Sequence, residues 1–135
     1  FEQWGRGLDM ARVLIAEDDT AVREFVRRAL THGGHDVAAA HDGLDALDQL
    51  NSGDPFDLLI TDIVMPGLDG IALALKVAKD YPQTAILMMT GFAAERQRAH
   101  NLDELIHEVV PKPFSLKQIC DAAEGALSER ERRVH

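Results

Sequence analysis

Acidic residues stand where two apolar runs stop. The run Ala11 to Ala16 ends in Glu17-Asp18-Asp19. The run opening at Asp57 ends in Asp62, just before the turn Met65-Pro66-Gly67-Leu68-Asp69-Gly70. Two further runs end on polar groups of another kind: Ala85 to Met89 on Thr90-Gly91, and His107 to Val110 on Pro111-Lys112-Pro113-Phe114. Taken singly, each residue has an ordinary role, Asp62 in a turn, Glu17-Asp18 as a helix-capping cluster, Thr90 as a strand-end hydroxyl and Lys112 as a surface charge. Taken together, they are a set. Carboxylates gathered in one place repel one another and shift toward protonation unless a cation neutralises them. Mg²⁺ does this with a few carboxylate oxygens and takes its remaining ligands from water and phosphate, which suits a cluster without His or Cys. A lysine and a hydroxyl beside it supply charge and a hydrogen-bond donor to a phosphorus oxyanion, so the chemistry such a set can do is phosphoryl transfer.

That chemistry requires the four run ends to lie on one rim, and the pattern of elements predicts this. Each run is short, apolar throughout and closed by turn residues, as expected of a strand buried on both faces. Helical periodicity fills the gaps between them. Val22, Phe25, Val26, Ala29 and Leu30 share a face before Gly33-Gly34 stops the helix, after which Asp36 to Ala40 reads as a small strand. Leu44, Leu47 and Leu50 mark a helix opened by Asp42 or Gly43 and broken by Asn51 to Pro55; Ile71, Ala74, Leu75 and Ala78 mark the next. Residues from Ala93 to about Ile106 are polar and weakly periodic, and are expected to form a marginal helix. Ser115 and Gln118 form a capping box for a last helix carried by Leu116, Ile119, Ala123, Ala126 and Leu127. Strand and helix thus alternate about five times, which predicts an α/β fold with a doubly wound parallel sheet. In the flavodoxin-like order 2-1-3-4-5, the switch point lies between the first and third strands, so Glu17, Asp18 and Asp62 face one crevice.

Composition narrows the function class. The chain has 135 residues, 46% hydrophobic and 27% charged, which suits one globular domain with a core. With 14 Lys and Arg against 23 Asp and Glu, its formal charge of −9 repels phosphate backbones and anionic lipid, so no direct nucleic-acid or membrane partner is expected. Cys120 is the single cysteine, placed in an apolar helical pattern that predicts a buried thiol, and the six histidines lack paired ligand spacing. No run reaches membrane-spanning length and no secretory signal is present, so a cytoplasmic location is expected. The domain is expected over residues 11–128, preceded by a disordered leader or expression remnant at 1–10 and followed by a frayed charged tail at 129–135.

Four motifs, Val13-Leu14-Ile15-Ala16-Glu17-Asp18-Asp19, Thr61-Asp62-Ile63-Val64-Met65-Pro66-Gly67-Leu68-Asp69-Gly70, Met89-Thr90-Gly91 and Pro111-Lys112-Pro113-Phe114, stand in the order and spacing of a known family. From about Arg12 to Leu127 the chain resembles the receiver domain of bacterial two-component response regulators. The wording of Ile63-Val64-Met65-Pro66 and Thr90-Gly91-Phe92-Ala93-Ala94 is similar to that of single-domain receivers of the cell-cycle and proteolysis-adaptor type.

The resemblance implies that Asp62 accepts phosphorus from a phosphohistidine, on a histidine kinase or histidine phosphotransfer protein, and forms an acyl phosphate. It further implies that Glu17, Asp18, Asp62 and the main-chain carbonyl of Val64 hold Mg²⁺, that Lys112 grips a phosphoryl oxygen, and that Thr90 moves as the switch. The metal pair is Glu17 and Asp18 because Arg23 fixes the family's register, leaving Asp19 as a helix cap. The Lys112-Pro113 bond is expected to be cis on the family pattern, whereas base rates favour trans. The chain departs from the family at Val109, where an aromatic often stands; Phe92 is the candidate to replace it. The expected role is a phosphorylation-controlled binding switch without an output domain and not an enzyme, with a phosphate shuttle as the alternative. An aspartate-nucleophile phosphatase needs a second acid two residues after Asp62, where Val64 stands. An FMN carrier is opposed by the acidic cluster, which would repel the FMN phosphate.

Overall fold

A computed structural model describes residues 11–91, 97–99, 102 and 104–134. The elements are β1 (Arg12–Ala16), α1 (Thr20–His32), β2 (Asp36–Ala40), α2 (Gly43–Asn51), β3 (Leu58–Asp62), α3 (Gly70–Asp80), β4 (Ala85–Thr90), β5 (Glu108–Pro111) and α4 (Leu116–Val134). The strands form one parallel sheet in the order β2-β1-β3-β4-β5, as the alternation predicted.

Alternate residues of each strand feed two separate cores. Val13, Ile15, Leu58, Ile60, Leu87 and Met89 face α1 and α4, where Val26, Leu30, Ile119 and Ala123 meet them. Leu14, Leu59, Ile86 and Met88 face α2 and α3, against Leu50, Leu73 and Val77. Both faces of β3 and β4 are fully covered, so their runs have no polar alternation. At about 1.5–3 kcal/mol for each large aliphatic side chain, this two-sided burial is the main driving force for the layered arrangement.

Local signals end the helices where the sequence indicated. Asp19 caps α1 by accepting from the N–H groups of Ala21 and Val22, Asp42 caps α2 through Asp45 N–H, and Ser115 and Gln118 exchange hydrogen bonds as a capping box. Gly34, at φ 99°, supplies the left-handed residue that turns the chain from α1 into β2.

Several expectations need correction. Phe25 (41% exposed), Leu44 (60%) and Leu75 (46%) stand out of the cores their helices were expected to build. In α3 the buried stripe is instead Leu73, Ala74 and Val77, and Phe25 leans on the Phe114 ring at 6.2 Å between centroids. Cys120 is half-buried rather than enclosed, its Sγ 3.7 Å from Ala29 O. The charged tail does not fray at Glu129: α4 runs to Val134, because Arg130 pairs with Asp57 at 3.1 Å and donates to Gln83 O while Glu129 meets His107 at 3.2 Å. Within the marginal helix expected over 93–106, residues 97–99 are helical and Leu102 accepts from Leu105 and Ile106 N–H in a turn; its other residues up to 103, like residues 1–10 and Phe92, lie outside the described residues.

Candidate functional site

The sheet order brings the four run ends together. β1 and β3 are neighbours with Ala16 opposite Thr61, so the residues that follow, Glu17 and Asp62, leave the sheet side by side. On the other side of β3, β4 pairs with β5 through Thr90 and Pro111, and Lys112 N–H donates to Thr90 O at 2.7 Å. All the expected side chains of the acidic cluster and its lysine converge. Carboxylate oxygens of Glu17, Asp18 and Asp62 lie within 4.8 Å of one another, and Lys112 Nζ is 2.8 Å from Glu17 Oε1 and 3.1 Å from Asp62 Oδ1. Thr90 is buried at the end of β4, while Val64 is exposed in the turn beyond Asp62. The Lys112-Pro113 peptide is cis.

Burial sets the electrostatics. Glu17 is fully buried and Asp62 is 7% exposed, whereas Asp18 is open to solvent. Loss of hydration pushes the Glu17 carboxyl up to about 7, with the Lys112 contact and the Asp19 N–H pulling the other way and the Asp62 charge adding to the rise. Burial likewise raises Asp62 above the ordinary carboxylate range despite Lys112. Burial works to lower Lys112, but its contacts with Glu17 and Asp62 outweigh this and hold it above its usual value.

The donor set fits a hard divalent cation. It offers three carboxylates with no sulfur or imidazole, and burial holds the carboxyls of its two buried members, Glu17 and Asp62, above the usual range despite the neighbouring lysine. Glu17, Asp18 and Asp62 are the residues that would hold such an ion, and a bound ion would lower the cost of ionising the two buried ones, Glu17 and Asp62.

The turn after β3 is built to hold Asp62 still. Thr61 Oγ1 donates to Asp62 O at 2.9 Å, and Gly70 N–H donates to Ile63 O at 2.8 Å. A Cβ on Gly70 would lie 1.9 Å from Asp62 O, so only glycine permits this approach. Gly67, at φ 76°, makes the bend possible.

Two polar anchors were not anticipated as such. Arg23, noted from the sequence only for its register, donates from Nη1 to Glu17 O at 2.8 Å. Asp69 caps α3 through Ala72 N–H and pairs with Arg98 at 3.0 Å. Burial works against the Asp69 charge, but these two contacts hold its carboxyl below the usual range. The Asp-Gly pair after a Pro-Gly turn was a legible signal for the cap, whereas the arginine partner had none.

The family model for the response regulator receiver domain matches residues 13–124. This chain belongs to the response regulator receiver family. The receiver is 38% identical over 108 residues to the response regulator MprA of Mycobacterium avium (strain 104), a match covering 80% of this chain and 47% of that protein. The same identity and coverage of this chain hold for MprA of Mycobacterium tuberculosis (strain ATCC 25618 / H37Rv), over 46% of its length. The receiver spans about half the length of the curated relatives it matches. Among solved structures, a CheY-like response regulator receiver domain protein from Methanospirillum hungatei JF-1 is 26% identical with a TM-score of 0.83, covering 92% of this chain and 98% of that one. A receiver domain protein from Clostridium thermocellum shares the fold at a TM-score of 0.82 and 22% identity, covering 91% and 98%.

Proposed function

We propose that this receiver domain is a phosphoacceptor switch in which Asp62 takes a phosphoryl group from a phosphohistidine. The observation that carries the reading is the convergence of Lys112 Nζ, at 3.1 Å, and the Glu17 and Asp18 carboxylates on a buried strand-end aspartate. An Asp62 oxygen attacks phosphorus, the P–N bond breaks as the O–P bond forms, and the electron pair of the broken bond leaves on the imidazole nitrogen, the ring departing neutral with the proton that its other nitrogen already carried. Lys112 follows the transferring oxygens, turning from Asp62 Oδ1 toward the charge that leaves it. Glu17, Asp18, Asp62 and the Val64 carbonyl are the groups that would hold Mg²⁺, which would supply positive charge where donor phosphate meets an anionic acceptor.

The added phosphate charge then acts on Thr90, whose buried hydroxyl at the end of β4 is the switch element. Val109 is half-buried on the face that packs against α2 and α3, so the aromatic readout common in the family has no side chain at this position. The partners on this reading are a histidine kinase or histidine phosphotransfer protein as donor and a protein target that distinguishes the phosphorylated state. The domain is not an enzyme beyond its own phosphorylation and dephosphorylation, and acts in the cytoplasm; among the described residues no helix is long and apolar enough to cross a membrane.

The test is labelling by a small-molecule phosphodonor with Mg²⁺. Wild type is expected to label and Asp62→Asn to remain unlabelled; equal labelling of the two refutes the assignment.

A further inference from the structure

The polar atoms of Glu17 are all engaged. Its N–H donates to Ala40 O at 3.1 Å, Oε1 accepts from Lys112 at 2.8 Å and Oε2 from Asp19 N–H at 3.1 Å. The remaining atom is the carbonyl. The β1-β2 ladder ends at Ala16 opposite Ala40, and β2 gives way to the α2 cap at Asp42, so a continuing strand is not there to supply a donor for Glu17 O. Arg23 supplies it from the first turns of α1 at 2.8 Å, with Nη2 3.4 Å from Thr20 Oγ1.

The backbone N–H of Arg23 closes the helix onto Asp19 O at 2.9 Å while its side chain reaches back past that cap to the strand end. Arg23 therefore ties both ends of the three-residue acidic loop. A guanidinium on a carbonyl makes a charge-assisted bond stronger than a neutral one, and its planar fork fixes direction as well as distance.

From this geometry we infer that Arg23 is the positioning residue of the metal site, holding the Glu17 main chain so that the Glu17 and Asp18 carboxylates aim at one point. The inference rests on the cation-binding reading above and deepens it. Without the arginine, Glu17 O loses its donor while the Ala40, Lys112 and Asp19 contacts remain, so the main chain between Glu17 and Asp18 is held less closely and the two carboxylates are aimed less well at one point. Arg23 touches neither ion nor phosphate in this role. It acts through the main chain.

The experiment is Mn²⁺ binding by electron paramagnetic resonance on the full chain, with thermal melting in chelator as a separate readout of folding. Arg23→Met is expected to melt near wild type in chelator yet bind Mn²⁺ about tenfold more weakly, the scale on which outer partners of metal ligands act. Arg23→Lys, which keeps a charged donor, is expected to recover most of that loss. Wild-type affinity in a folded Arg23→Met overturns the inference. If Arg23→Met does not fold, Arg23→Lys and Arg23→Gln decide: tighter binding by the lysine variant supports the role, and equal binding by the two overturns it. Failure of wild type itself to bind Mn²⁺ overturns the metal reading and this inference together, an outcome distinct from one in which wild type and variants bind alike.

Discussion

Lys112 Nζ sits 2.8 Å from Oε1 of Glu17, a residue ninety-five positions earlier whose side chain has no solvent exposure. The contact joins the end of β5 to the end of β1 across β3 and β4, and it is the principal compensation for a buried carboxylate. Lys112→Met should leave Glu17 buried without its charge partner and cost about 2 kcal/mol, the range for removing one partner of a buried charged hydrogen bond. Urea unfolding in chelator measures this, and the same variant should lose most phosphodonor labelling of Asp62.

Glu17 gives the metal-free protein a pH dependence of definite sign. Its carboxyl moves from 4.5 to about 7 on folding, so the folded state binds the proton more tightly. The stabilising contribution is complete below the unfolded value and is lost as pH rises through about 7. Asp62 is shifted in the same direction by the same cause. In chelator, wild type should lose melting temperature between pH 5 and pH 8 relative to Glu17→Gln, which lacks this proton; parallel curves for the two proteins contradict the expectation.

Divalent binding should show the opposite trend. Because the ion competes with the Glu17 proton, apparent affinity should rise with pH up to about 7 and then level, by roughly tenfold per unit at most on the acid side. Isothermal titration with Mg²⁺ at several pH values reads this directly.

Gly70 is the tightest backbone approach in the site. Gly70→Ala places a methyl group 1.9 Å from Asp62 O, a clash with backbone that the turn must open to relieve. A loss of about 1–3 kcal/mol is expected from overpacking of this kind, together with slower labelling of Asp62. Gly91→Ala is the control, since among the described residues nothing lies within 4 Å of its added Cβ.

Arg130 anchors the far end of α4 to the amino-terminal rim of the sheet, opposite the site, just before the central strand β3. Its side chain is 19% exposed and meets Asp57, whose other oxygen accepts Arg12 N–H at 2.8 Å. Arg130→Ala should cost roughly 1 kcal/mol, more than a fully exposed pair, and leave labelling of Asp62 unchanged. Chemical denaturation checks the first expectation.

The fold was legible in the sequence for a physical reason. A strand covered on both faces leaves an unbroken apolar run, and β3 keeps one from Leu58 to Ile60 and β4 from Ala85 to Met89. The acidic cluster and its lysine were legible because parallel strands place all their carboxyl ends on one rim, so Glu17, Asp62 and Lys112 needed only the right strand order to meet. Other features depend on contacts between elements, which periodicity cannot encode. Phe25 keeps the helical phase of α1 yet leans on Phe114 at the surface, and the charged stretch after Leu127 stays helical only because Asp57, Gln83 and His107 happen to stand beneath it. Arg23 falls in the same class, since a side chain that serves a carbonyl six residues back leaves no pattern in the letters.

The unequal shelter of Glu17 and Asp18 imposes a sequence of events on any ion that arrives from water. Asp18 is open to solvent and could meet a hydrated cation whole, whereas Glu17 is fully buried and could bind it only after part of the water shell had been shed. On the metal reading, the outer carboxylate would set how fast ions come and the inner one how long they stay.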